Sequence, residues 1–195
     1  EQHVSGFTGL AGLEKFSNGQ SNPTYKILDT SGASYVLRAK PPGELLKSAH
    51  AVDREFKVMT ALAKTAVPVP KMLHLSGDDS PMGAQFLVMD YLSGTVFWDP
   101  ALPECSKSFR TEAYSALVKT LAALHEVDPH KVGLENFGRP GNYFGRQVSR
   151  WTRQYHASET QSRPDMDWTI DWLSQNLVAD DGQISIVHGD YRLDN

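Results

Sequence analysis

The tripeptide Ser93-Gly94-Thr95 divides this chain into two stretches with different hydrophobic patterns, and that division limits the fold more than any other feature. Before it come short apolar runs bounded by turn residues, which suit strands, the run over 85–92 nearly continuous as in a buried strand. The expected strands are residues 13–16, 25–28, 34–38, 71–75 and 85–92. Asp29-Thr30-Ser31-Gly32 has the residues of a hairpin turn between the second and third. One helix interrupts them, from a Ser48 cap to about Lys64, with Val52, Phe56, Met59, Leu62 and Ala63 as its apolar stripe. After the divide the character changes to that of helices. Tyr114, Leu117, Val118, Leu121 and Leu124 form one face, and further helices are expected near 148–155 and 167–176. Ile184–Val187 reads as one more short strand, and Trp151, Trp168 and Trp172 read as core, with Trp151 and Tyr155 as candidate pocket residues. The expected class is α+β: a five-stranded antiparallel lobe over residues 1–92, then the first part of a helical lobe over 93–195.

That last strand runs directly into His188-Gly189-Asp190-Tyr191-Arg192-Leu193-Asp194-Asn195. A strand emptying into H-x-D-x-x-x-x-N is the catalytic-loop pattern of two-lobed kinases. Its spacing follows from the chemistry. Asp190 would orient or accept the proton of an attacking hydroxyl, and the Asn195 amide oxygen would hold magnesium. Arg192 stands where a cation can neutralise the transferred phosphoryl group.

Glu55 carries the second signal. On a helical wheel it falls between Leu62 and Met59, inside the apolar stripe, where an unpaired carboxylate is costly. Alternation along residues 35–40 puts Val36, Arg38 and Lys40 on one face, so the partner is Arg38 or Lys40. Arg38 is preferred, because Lys40 abuts the break at Pro41-Pro42. A strand cation fixed by a helix glutamate is how kinases hold the base that grips nucleotide phosphates. Gly19, Gln20, Ser21 and Asn22 suit a loop whose backbone amides cover phosphates. Met89 and Tyr91 fall where the hinge of such an enzyme meets the adenine edge.

Composition removes several other functions. The chain has 195 residues, is 40% hydrophobic and 22% charged, and carries a net charge of −4 without a basic run, which argues against nucleic acid as main partner. A single cysteine, Cys105, excludes both an internal disulfide and a cysteine-built zinc site. No apolar run reaches membrane-spanning length, and a cytoplasmic enzyme is expected.

With these residues in place the chain resembles the aminoglycoside phosphotransferase and choline kinase family along essentially its whole length. The matching pieces, in family order, are residues 18–22 with Tyr25, then 36–38, Arg54-Glu55, 88–91, 121–125 and 188–195. Residues 38–43, 49–55 and 141–155 are similar to one branch, the phosphotransferase domain fused to or encoded beside acyl-CoA dehydrogenases. The resemblance implies ATP and magnesium as cofactors and a small-molecule hydroxyl as acceptor, a hydroxyacyl-CoA or related acid before an antibiotic. A fused or neighbouring dehydrogenase is the implied partner. A catalytically silent nucleotide-binding or scaffold domain is the competing reading, which the joint presence of Asp190, Arg192 and Asn195 disfavours. Two departures stand out. Arg38 replaces the usual lysine, so phosphate gripping would use a planar fork. The family's second metal-binding aspartate follows the loop on a later strand, so the expectation is a sequence that stops short of a complete enzyme.

Overall fold

In the computed structural model the residues described are 3–16, 22–41, 51–77, 80 and 82–194. By packing the chain falls into two compact units, Glu1–Val127 with Val187–Asn195, and Asp128–Ile186.

The first unit is built on strands β1 (Leu10–Lys15), β2 (Thr24–Asp29), β3 (Ser34–Ala39), β4 (Met72–Leu75) and β5 (Phe86–Asp90), with α1 (Val52–Leu62) after β3. All neighbouring strands are antiparallel, in the order β1-β2-β3-β5-β4. The five expected strands therefore all form, with shifted ends. β5 stops at Asp90 rather than Leu92: its ladder with β3 ends at the Tyr35–Asp90 pair, and Leu92 is 66% exposed. The turn forms as read: Gly32 N–H donates to Asp29 O at 2.9 Å, and Gly32 adopts φ +89°, a left-handed conformation that other residues reach only with strain.

Leu37, Ala39, Leu87 and Val88 are buried on the central strands. Their register sorts the two faces. One carries Lys26, Val36, Arg38, Leu87 and Met89, and the other carries Ile27, Tyr35, Phe86 and Val88. Helix α1 packs on β4 and β5, burying Val52 and Leu62. The expected Ser48 cap lies outside the described residues.

The second sheet face is covered by the segment before β1. Phe7 meets Tyr35 edge-on at 5.9 Å between ring centroids, and His3 stacks on His74 at 4.5 Å. An apolar cavity of about 160 Å³ lies between them. Asp29, 1% exposed, ties this strap down: it accepts from Thr8 N–H at 2.7 Å, Thr8 Oγ1 at 2.6 Å and Ser31 N–H at 2.5 Å. These donors hold the Asp29 carboxyl far below the usual carboxylate range.

Helix α2 (Lys107–His125) completes this unit. Ser106 caps it, accepting from Phe109 N–H at 3.1 Å. The helix is longer than its apolar face suggested. Leu124 is buried and Leu117 and Leu121 are half-buried, while Val118 is 64% exposed.

The second unit contains α3 (Tyr143–Ser158) and α4 (Pro164–Gln175), which pack on each other. Both helices are longer than read. Asn142, left-handed at φ 46°, starts α3; its N–H donates to Asp180, and Arg146 donates to the Arg139 carbonyl at 2.6 Å and to that of Gly141. Two expectations fail here. Trp151, Trp168 and Trp172 are 60%, 66% and 49% exposed, not core; Trp168 and Trp172 stack on one another. Ile184–Val187 is not a strand, since no described residue shares a ladder with it, and Ile184 and Val187 are about half exposed. No helix among the described residues is long and apolar enough to cross a membrane.

Candidate active site

Two groups of side chains, both in the first compact unit, match the chemistry read from the sequence. The first is the pair on the sheet. Arg38 pairs with Leu87 in the ladder and emerges on the α1 side, where its Nε stands 3.2 Å from Glu55 Oε2. Their side chains are 34% and 20% exposed. Burial pushes the Glu55 carboxyl above its ordinary value, and the pull of Arg38 offsets only part of that. The contact lacks aligned hydrogen-bond geometry, so the Arg38 Nε–H is buried without an acceptor among the described residues. Lys40, the alternative partner, instead reaches Asp53 at 3.9 Å.

The second group is the loop after Val187. Gly189 takes φ +89° at the point where the chain turns. Asp190 N–H approaches His188 Nδ1 at 3.4 Å, and the His188 ring meets Tyr191 edge-on at 5.3 Å. Tyr191 donates its hydroxyl to the Leu117 carbonyl at 3.0 Å, which fastens the loop to α2. Arg192 spans two carboxylates, with Nε 3.4 Å from Asp190 Oδ1 and Nη2 3.0 Å from Asp194 Oδ2. Asp190 and Arg192 are well exposed, at 67% and 59%, whereas Asp194 is mostly covered.

The remaining expected residues divide by position. Gly19, Gln20, Ser21 and Asn195 lie outside the described residues. Asn22 is buried just before β2, where its carbonyl accepts from Thr24 Oγ1 at 3.0 Å. Met89 is in β5 on the Arg38 face, and Tyr91 follows the strand, its ring under Lys26 Nζ at 4.3 Å from the centroid. Sequence reading gave no role to Lys26 or Tyr191. For Lys26 a signal existed, since alternation in β2 puts it on the Arg38 side. The hydroxyl of Tyr191 gave none, its acceptor being 74 residues away.

A model of the phosphotransferase enzyme family matches residues 12–195. The chain belongs to this family. Its resemblance to these phosphotransferases is thus borne out, and so is the link to acyl-CoA dehydrogenases. The Arabidopsis thaliana protein named "Probable acyl-CoA dehydrogenase IBR3" is 47% identical over 194 residues, covering 94% of this chain. "Acyl-CoA dehydrogenase family member 11" of Rattus norvegicus is 44% identical over 198 residues, covering all of it. The phosphotransferase chain spans about a quarter of each, 24% and 25%. A crystal structure of a Ralstonia eutropha protein, named for the aminoglycoside phosphotransferases, is 48% identical with a TM-score of 0.85 and covers this whole chain, which spans 56% of that one. The α+β, kinase-like class is that of this neighbour.

The donors suit the cofactors such an enzyme uses. The Arg38 guanidinium, held at Nε by Glu55 and one-third exposed, fits a phosphate, which takes planar forks well. For magnesium, the loop sequence offers hard oxygen donors, the Asp194 carboxylate and the Asn195 amide. Among the described residues no three His, Cys, Asp or Glu side chains gather to cage an ion. Magnesium is ordinarily held by one or two protein oxygens together with phosphates.

Proposed function

We propose that this chain carries the nucleotide site and catalytic loop of an ATP-dependent phosphotransferase acting on a small-molecule hydroxyl. The acceptor in this reading is a hydroxyacyl-CoA or related hydroxy acid. The observation that carries it is the Arg38–Glu55 pair across sheet and helix, in the same compact unit as the Asp190 loop. The names of the relatives support the acyl-CoA acceptor and a dehydrogenase as partner.

Each residue then has one task. Glu55 aims the Arg38 fork, which binds and orients phosphate oxygens. Asp190 receives the proton of the acceptor hydroxyl. Arg192 sits beside that carboxylate, placed to offset negative charge where the transferred group passes. Tyr191 positions both through its bond to α2. Asn195 would hold magnesium on a bound ATP, which would supply the phosphoryl group while the ion neutralised its oxygens.

The test uses the full-length protein with hydroxyacyl-CoAs, aminoglycosides and choline as acceptors. Asp190→Asn should leave ADP affinity unchanged and lower turnover by about 10²–10⁴, the scale of a positioned proton acceptor. Wild-type turnover in this variant would remove Asp190 from the mechanism. Transfer to aminoglycosides or choline alone would overturn the acceptor class.

A further inference from the structure

We propose that helix α3 binds the adenosine 3′-phosphate end of an acyl-CoA acceptor, with Arg150 and Arg153 on the phosphate and Trp151 against the purine. This rests on the phosphotransferase reading and gives a subsite to the part of the acceptor that does not react. Helix α3 holds Arg146, Arg150 and Arg153 but no acid, in a chain with a net charge of −4. At 3.6 residues per turn the three arginines fall within about 60° of one another. Val148, Thr152 and Tyr155 are half-covered and lie on the opposite side of the helix, whereas Arg150 and Arg153 are exposed.

Arg146 is already engaged, donating to the carbonyls of Arg139 and Gly141. The other two are not neutralised: among the described residues no carboxylate comes within 4.0 Å of either guanidinium. Like charges three residues apart on a helix oppose each other unless an anion joins them. Two guanidiniums so spaced can fork a single phosphate. They are too few for a polyanion such as nucleic acid, whose binding draws on many such contacts. Trp151 stands beside them. Its ring centroid lies 5.5 Å from the Arg150 guanidinium carbon, and the residue is 60% exposed, so ring surface is left on which a purine can stack. The ribose 3′-phosphate of coenzyme A is such an anion, carried next to such a base.

The experiment compares phosphoryl transfer by the full-length protein to a hydroxyacyl-CoA and to the same acyl group on dephospho-CoA, which lacks the 3′-phosphate. In wild type, KM should be about tenfold higher for the dephospho acceptor, the scale of one lost charge-assisted contact. Arg150→Gln combined with Arg153→Gln should raise KM for the CoA acceptor by about the same factor and erase the difference between the two acceptors. Its kcat and its KM for ATP should not change, and circular dichroism should match wild type. Trp151→Leu should raise KM for both acceptors alike, because both keep the adenine. Discrimination that survives in the double variant, or a wild type that shows none, would overturn the proposal. Titration calorimetry with adenosine 3′,5′-bisphosphate separates this site from the reaction. Equal binding by wild type and double variant, or binding by neither, would overturn the site. Binding lost only in the double variant, in a protein that transfers phosphate to no hydroxyl, would support the site and overturn the phosphotransferase reading instead.

Discussion

Replacing Glu55 with glutamine separates positioning from stability in a way the structure makes quantitative. The substitution keeps the shape and removes the charge 3.2 Å from Arg38 Nε. Two effects oppose each other. Removing the carboxylate relieves the desolvation that raises its pKa, and it takes away the counter-charge of a guanidinium that is one-third exposed. A fully buried pair broken on one side costs about 3–5 kcal/mol. An exposed pair costs about 0–1 kcal/mol. Here burial outweighs the attraction of Arg38, so the pair adds little to folding. The expected change at pH 7 is within about 1 kcal/mol, read as a shift in urea midpoint at constant slope. The sign with pH follows from the raised pKa. A proton on Glu55 is favoured in the folded state, so wild type loses stability as pH climbs from its ordinary value of 4.5 through the raised one. Glu55→Gln should be flat across that window. Nucleotide binding should respond far more. An unaimed Arg38 forfeits charge-assisted contacts worth about 1.5 kcal/mol or more, roughly tenfold in ADP affinity by calorimetry. Lys57→Gln, on the exposed side of α1, is the control and should change neither. A loss above about 3 kcal/mol in stability would make the pair a structural keystone. Unchanged ADP affinity would end its role as a positioning device.

Two further expectations concern the same unit. Asp29→Asn should release the strap over the sheet, seen as faster hydrogen exchange at Thr8 and Ser31. Because the Asp29 pKa is depressed, its contribution is complete above the ordinary 3.8 and fades as pH falls below it, so wild type near pH 2 should approach the variant; a pH-independent difference would contradict this. Tyr191→Phe should cost about 0.5–1.5 kcal/mol for the lost bond to Leu117 and lower kcat with little change in nucleotide affinity. An unchanged kcat would show that the loop is held in place without it.

The sequence alone determined whatever depends on local period and residue type. The five strands follow from short apolar runs between turn residues, and the β2–β3 turn from Asp29 and Gly32. Even the Arg38–Glu55 pair was legible, because a carboxylate in an apolar stripe requires a cation and the strand offered only two. Tertiary structure decided what depends on partners distant in the chain. Ladder register ended β5 at Asp90 and set Lys26 over Tyr91. The lack of a described ladder partner left Ile184–Val187 without strand structure. Asp29 looked like an ordinary turn residue until Thr8, 21 positions earlier, was brought onto its carboxylate. Hydrophobicity marks Trp168 and Trp172 as residues able to be buried, but whether they are buried depends on which surfaces meet them. Periodicity encodes the face an element presents; what the face meets is settled only when the chain closes on itself.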